Sequence, residues 1–293
     1  MISVIIPSYN SWPLIGETLQ SLSDQKTSVE FEIIVADCST DGTDRKIAEM
    51  FPSVRLLHKD THDYPGAARN RAIDDAKGEI IAMIDADAKA SEGWIEKISL
   101  NFKTNPYAMG FGGAIENASR ESRPARVAHL LEFGGYTPSW KRRKVRMTPT
   151  CNLALKKNVF DSVRFLEDWF GNEDVLIADH ISRMKGTIIF DPEMLVYHYT
   201  RDSWESIFDH QKKLGHDTGR TRYQYNLPGS WLAHNTLAMF LIPFIKYFFL
   251  LKRVFSCDGE YLADFLACNP QVIKALRVFA KGFREGVSHQ KKS

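Results

Sequence analysis

The chain has 293 residues, 44% of them hydrophobic and 25% charged, with a formal net charge of +2; this suits one large globular domain or two modest ones and excludes wholesale disorder. So neutral a balance also argues against a dedicated nucleic-acid binder. Cys38, Cys151, Cys257 and Cys268 form no C-x-x-C pair and stand among apolar or strand-like neighbours, so they read as reduced thiols of a cytosolic compartment and argue against zinc. Met1-Ile2-Ser3-Val4-Ile5-Ile6-Pro7 lacks a basic leader and reaches proline too soon for a signal peptide, so it reads as a first strand.

In chain order, strands and helices alternate. Ile2 to Ile6 is an apolar run ended by Pro7; Trp12 to Ser23 carries Leu14, Ile15, Leu19 and Leu22 on one helical face, with Pro13 in its first turn. Phe31 to Ala36 is a second strand, and the turn from Asp37 to Thr43 leads into a helix through Phe51. Val54 to Leu57 is a third strand, followed by a small-residue helix from Gly66 to Ala76. The fourth strand ends at Asp85. Strands separated by helical segments of this size predict a parallel, doubly wound sheet with right-handed crossovers.

The fourth strand is the most informative. Its isoleucine-rich run stops at Asp85 and Asp87, with only Ala86 between them, which predicts acid delivered to the carboxyl edge of the sheet, where ligands bind. Alternation along a strand would return both carboxylates to one side, close enough to share a cation. The alternative is structural: Asp85 opens a polar loop, and Asp87 or Ser91 caps the next helix.

The stretches SVIIPSYN, EIIVADCSTDGT, GAARNRAI and GEIIAMIDADA, in this order, with NLALKKNVF from Asn152 and GNEDVLIADHISRMKG from Gly171, resemble the family 2 glycosyltransferases of the GT-A fold up to about His198. The resemblance implies an α/β fold of the GT-A type, a Rossmann-like, mostly parallel sheet flanked by helices, with a helical C-terminal extension. It implies a catalytic domain over residues 1–225, with a nucleotide-sugar half of about 1–115 and an acceptor half of about 116–225, and a helical extension over 226–293. The implied activity is inverting, metal-dependent transfer of one sugar from a nucleotide-diphospho-sugar to a glycan, lipid-linked or other hydroxyl acceptor. A nucleotidyltransferase and a non-catalytic scaffold on the same fold are the alternatives. The former usually needs a glycine-rich phosphate loop that Ser8-Tyr9-Asn10 does not supply.

By the same resemblance, Asp87, Asp85 and His198 form a site for Mn²⁺ or Mg²⁺, which suit oxygen-rich ligation beside phosphate. Pro7, Tyr9, Asp37, Arg69 and Asp85 are the donor-binding candidates. Asp37 can accept a hydrogen bond from an imide N–H and Tyr9 offers a ring face, which favours UDP or dTDP over guanine. Relatives commonly carry a second aspartate where this chain has Cys38. The family's catalytic base falls on Asp174 of the Glu173-Asp174 pair, with Glu173 orienting the acceptor and Trp169 and Phe170 offering an apolar platform to a sugar. Asp174 stands equally where a helix start prefers a carboxylate.

Met109 to Gly113 reads as a stretch whose glycines let backbone approach a sugar. A short helix is expected from Arg126 to Phe133. Lys141 to Arg146 is the densest basic run, expected as a solvated loop or a lid over the diphosphate. Beyond His198 the reading is a helix from Ser203 to Leu214 ended by Gly215, then a polar link from Gly219 to Gly229. No Q-x-x-R-W motif follows, so one sugar is expected per encounter. Trp231 to Leu251 has nearly the length of a membrane span but is interrupted by His234, Asn235, Pro243 and Lys246. With Lys252, Arg253 and a basic amphipathic helix over Gln271 to Phe283, it predicts peripheral contact with the inner face of a membrane, or a packed helical tail.

Overall fold

The computed structural model describes residues 1–256 and 259–291, apart from the side chain of Glu260. Cys257 therefore lies outside the described residues, while Cys38, Cys151 and Cys268 are buried free thiols. The elements run β1 (Ile2–Ser8), α1 (Leu14–Ser23), β2 (Phe31–Asp37), α2 (Thr43–Met50), β3 (Arg55–His58), α3 (Pro65–Asp75), β4 (Ile80–Ile84), β5 (Ala88–Ala90), α4 (Trp94–Thr104) and β6 (Gly110–Asn117). They continue with α5 (Arg123–Phe133), β7 (Arg143–Val145), β8 (Asn152–Lys156), α6 (Val175–Arg183), β9 (Ile188–His198), α7 (Trp204–Gln224), α8 (Trp231–His234), α9 (Ile242–Val254), α10 (Gly259–Ala267) and α11 (Asn269–Gln290). They fall into two compact units: Met1–Glu116 with Lys141–Asp168 and Glu173–Tyr199, and Asn117–Trp140 with Trp169–Asn172 and Thr200–Ser293.

The first unit holds the sheet, ordered β3-β2-β1-β4-β8-β6-β9-β5, with β7 added on β9. The four strands β3-β2-β1-β4 are parallel, as their helical crossovers require. β8 then enters antiparallel to β4, and the further pairs β6-β8, β5-β9 and β7-β9 are also antiparallel. Ile5, Ile34, Ile81, Met83, Leu153 and Leu155 pack on one face against Ala68, Ala72 and Ile73 of α3 and Ile177 and Ile181 of α6.

Three local expectations change here. β1 runs through Pro7 to Ser8, pairing with Ala36 and Asp37. The Ser8 carbonyl accepts from the Cys38 N–H on the β2 side, so the missing N–H of Pro7 falls on the other side, where pairing with β4 has ended at Ile5. The basic run is an edge strand, not a loop: Arg143 pairs with Phe190 and Val145 with Ile188, while Arg142 donates to Asp191 Oδ2 at 2.5 Å and Asn101 Oδ1 at 2.9 Å. The glycines of β6 meet protein; a Cβ on Gly113 would lie 1.9 Å from the Met194 carbonyl oxygen.

The second unit is helical. Leu130 of α5, Leu250 and Val254 of α9, Phe265 of α10 and Val272 and Leu276 of α11 form one core, and Met239, Ile242, Phe279 and Phe283 belong to another. Here α7 does not stop at Gly215 but continues to Gln224, replacing the expected link. The reason is a seam with α11: a Cβ on Gly215 or Gly219 would come within 2.1 or 2.2 Å of the Phe279 or Phe283 carbonyl oxygen. Reciprocally, a Cβ on Gly282 or Gly286 would lie 2.1 or 2.0 Å from the carbonyl of Lys212 or His216. Glycines four apart share a helix face, so both backbones touch directly, and packing overrides the weak helix propensity of glycine. The apolar stretch from Trp231 breaks into α8, a 3₁₀ turn at Ala238–Leu241 and α9, which carries Pro243 in its first turn. Among the described residues no helix is long and apolar enough to cross a membrane.

Candidate active site

All the site residues described here belong to the first unit except Trp169 and Phe170. β4 delivers Asp85 as expected, but alternation along a strand is not what brings Asp87 to the same side. The chain turns at Asp85-Ala86-Asp87, closed by the Ala88 N–H donating to the Asp85 carbonyl at 3.1 Å, and β5 starts at once. β5 pairs with β9 so that Ala88 faces His198. The His198 Nε2 then lies 3.3 Å from Asp87 Oδ1 and 3.8 Å from Asp85 Oδ2.

His198 is buried, and its Nδ1 lies 2.9 Å from the Tyr199 carbonyl. A carbonyl only accepts, so Nδ1 carries the hydrogen, and in the neutral ring Nε2 presents its lone pair toward the two carboxylates. A lone pair facing two anions is repulsive unless a proton or a cation lies between. Two carboxylate oxygens and an imidazole nitrogen are a donor set suited to Mn²⁺ or Mg²⁺, so the residues present fit such an ion. The Cys151 thiol joins them: single donor atoms of Asp85, Cys151 and His198 all lie within 4.8 Å of one another. Burial, reinforced by the charges of Asp85 and Asp87, pushes this thiol well above its usual range, so it is protonated and inert. The sequence reading treated Cys151 only as a reduced thiol; its one signal was its place directly before Asn152.

Beneath the aspartates lies a buried ionic relay. Arg69 of α3, 3% exposed, donates to Asp85 Oδ1 at 2.7 Å and to Glu173 Oε1 at 2.6 Å. The Asp85 side chain is 30% exposed and that of Asp87 42%, so charge is deep at Arg69 and Glu173 and meets solvent at the turn. Burial drives Asp85 upward, but the neighbouring His198 imidazole and the charge and hydrogen bond of Arg69 outweigh it and hold the carboxyl below its ordinary range. For Glu173 burial prevails over Arg69, and the carboxyl is raised. Asp174 is pushed up to about 7, first by burial and then by the charge of Glu173, against the pull of Arg69. It stands at the N-terminus of α6 without a capping hydrogen bond from its side chain.

The other expected donor-side residues gather at the ends of β1 to β3, with different environments. Asp37 is fully buried and not presented to a base. Its Oδ1 accepts from Ser8 Oγ at 2.7 Å and Ser39 Oγ at 2.6 Å, and its Oδ2 from the Ser39 N–H at 3.0 Å and lies 2.8 Å from His58 Nδ1. A carboxylate offers about four acceptor positions, and four protein partners fill them. Asp37 therefore ties the ends of three strands together, and its hydrogen bond raises the His58 imidazole above its ordinary value. Cys38 is likewise buried, bonded to the Ser8 carbonyl and the Asp63 N–H. Tyr9 is exposed, edge-on to His62 at 4.6 Å, and His62 in turn meets Tyr64 at 5.2 Å. In the second unit, Trp169 is buried and donates to Thr221 Oγ1 at 2.8 Å, so it is core and not a platform, whereas Phe170 keeps an exposed ring.

Residues 3–164, more than half of the chain, match the model of Glycosyl transferase family 2. The chain belongs to this family. It is 36% identical over 101 residues to the putative teichuronic acid biosynthesis glycosyltransferase TuaG of Bacillus subtilis, a match covering 33% of this chain and 40% of that protein. It is 26% identical over 198 residues to the succinoglycan biosynthesis protein ExoM of Rhizobium meliloti, covering 63% of this chain and 62% of the relative. The matches thus span less than two thirds of these relatives. Among solved structures, S. aureus TarS 1-349 in complex with UDP-GlcNAc superposes with a TM-score of 0.56 at 17% identity, over 100% of this chain and 92% of that TarS 1-349 chain. The mannosyltransferase PcManGT of Pyrobaculum calidifontis, in complex with GDP-Man and Mn²⁺, gives 0.60 at 19%, over 99% and 86%. At these identities the likeness establishes the GT-A fold.

Proposed function

We propose that this family 2 member is an inverting glycosyltransferase that moves one sugar from a nucleotide-diphospho-sugar to a hydroxyl of a glycan or lipid-linked acceptor of the cell envelope. The observation that carries this reading is Asp174: a carboxyl raised to about 7, uncapped at a helix start and within the field of Glu173, Arg69 and Asp85. A general base works best when its pKa lies near the operating pH. Asp174 takes the proton of the acceptor hydroxyl as that oxygen bonds to the anomeric carbon. The bond from that carbon to the diphosphate oxygen breaks with its electron pair, in one displacement with inversion. Glu173, held by Arg69, keeps the acceptor side negative and orders the helix start that carries Asp174.

Asp85, Asp87 and His198 would hold Mn²⁺ or Mg²⁺, with Asp85 also reaching toward the ribose. Such a cation, when bound, neutralises charge that develops on the leaving diphosphate. Tyr9 gives the base a ring face. Because Asp37 is already saturated, we assign it the positioning of the Ser8 and Ser39 loops. UDP or dTDP is the favoured donor nucleotide, and one sugar is transferred per encounter. Residues 1–225 are proposed as the catalytic portion and 226–293 as an extension that meets the inner face of a membrane.

The test is calorimetric titration with UDP, dTDP and GDP, each with and without Mn²⁺, on the wild type and Asp87→Ala. Metal-dependent binding of one nucleotide, lost in the variant, supports the assignment. If none of the three binds, the donor reading fails and a scaffold role takes its place.

A further inference from the structure

The helical unit carries a second site. α9, the 3₁₀ turn before it and α11 enclose a cleft of about 630 Å³, lined by Phe240, Phe244, Tyr247, Ile273, Arg277 and Arg284 among others. Clefts of about 300–1,000 Å³ are of a size to hold single small molecules. Around it the apolar residues that a soluble protein would hide are in water: Leu237 is 81% exposed, Phe244 73% and Phe248 68%. Phe244 and Phe248, four residues apart, share one face of α9, and Leu241 is exposed at the end of the 3₁₀ turn before it. A contiguous apolar surface of this kind marks an interaction site.

Charge decides what covers it. Its charged lining is Arg277 and Arg284; the carboxylate that follows them on α11, Glu285, pairs with Lys212 and Lys281. Neither Arg277 nor Arg284 has a carboxylate partner among the described residues; Arg284 lies over the Phe240 ring at 5.1 Å, at the rim of the cleft. The two arginines are seven residues apart on α11, hence on one face and roughly 10 Å apart along the axis. A second copy of this chain would set the same pair of arginines against the first. An anionic amphiphile satisfies both features.

We propose that this cleft takes the hydrocarbon chain of a phospholipid whose headgroup meets Arg277 and Arg284, docking the helical unit on an anionic bilayer with Phe244 and Phe248 in the interface. Apolar burial and attraction to anionic headgroups add in such binding. The inference rests on the membrane contact proposed above and gives it a site and a lipid class.

The test is sedimentation of the full chain with phosphatidylcholine vesicles, with and without phosphatidylglycerol, together with native mass spectrometry in phosphatidylglycerol-containing micelles. Binding at least tenfold tighter to phosphatidylglycerol vesicles is expected, with one lipid retained per chain. Arg277→Glu/Arg284→Glu and Phe244→Glu/Phe248→Glu should each lose at least tenfold while circular dichroism is unchanged. Ile273→Trp, at the exposed lining of the cleft, should lose the retained lipid while circular dichroism is unchanged. Equal binding to both vesicle types, or undiminished binding by the arginine variant, overturns the proposal. So does a wild-type dimer that the phenylalanine variant converts to monomer, which would make a second copy the occupant. Nucleotide titration on the same preparations separates the two readings: vesicle binding without nucleotide binding would remove the transferase and leave the lipid site.

Discussion

The sheet unit and the helical unit break opposite rules of globular proteins. In the first, charge is buried: Arg69, Glu173 and Asp85 form a relay whose deepest member is 3% exposed, although burying ions is costly and stabilises little by itself. In the second, hydrocarbon is exposed: Phe244, Phe248 and Leu237 face water, although apolar burial is the main driving force of folding. Neither departure is needed for a stable fold. On the readings proposed above, each is tolerated where something outside the chain is to be met, a polar substrate in one unit and a bilayer in the other.

This contrast is sharpest if damage to one region leaves the other working. The largest effect should follow Asp174→Asn, which removes the proton acceptor: kcat should fall by about 10²–10⁴-fold, with nucleotide and vesicle binding unchanged. Loss of vesicle binding in that variant would break the comparison. Arg69→Met leaves Glu173 and Asp85 without their shared cation, and denaturant unfolding should show a loss of about 3–5 kcal/mol. Adding Glu173→Gln should restore part of it. In the helical unit, Gly282→Leu drives a side chain into the Lys212 carbonyl, and overpacking of this kind costs about 1–3 kcal/mol or more. Calorimetry should show the α7-α11 pair melting earlier while Mn²⁺-dependent nucleotide binding persists at low temperature.

A further effect is a pH dependence whose sign is set by Asp174. Its folded pKa, about 7, lies above the unfolded value, so between about pH 4 and pH 7 the folded state binds more protons and stability falls as pH rises. Asp174→Asn is spared this loss. Its Tm advantage over the wild type should be absent near pH 3, grow toward pH 7 and then level off. A flat difference would mean that Asp174 is not raised.

The parallel strands, their helices and the acid-ended β4 were legible because each is local: a short apolar run, a turn residue, a helical spacing. The carboxylates, His198 and the Glu173-Asp174 pair were legible as residues but not as geometry. Asp85 and Asp87 meet through a turn and the pairing of β5 with β9, which no local pattern encodes. Asp37 looked available because a sequence does not show that Ser8, Ser39 and His58 converge on it from three strand ends. Gly215 looked like a helix stop because its reason for being glycine, the backbone of α11, is more than sixty residues away. The Lys141 to Arg146 run looked solvated because its partners Asp191 and Asp179 are likewise distant in sequence.

The pairing of Ala88 with His198 has a bearing on which insertions and deletions the chain can accept. Only a turn separates Asp85 from β5, and the Asp87 carbonyl accepts from the Tyr199 N–H at 2.9 Å, so both sides of the proposed cation site are counted off against each other residue by residue. Adding one residue to β9 just before His198, with the pairing of its preceding residues unchanged, would turn the imidazole to the opposite face of the sheet. A library of single-codon insertions should therefore keep nucleotide binding when the extra residue falls at the exposed Thr61-His62 loop, and lose it when the residue falls between Asp85 and Ala88 or between Val196 and His198.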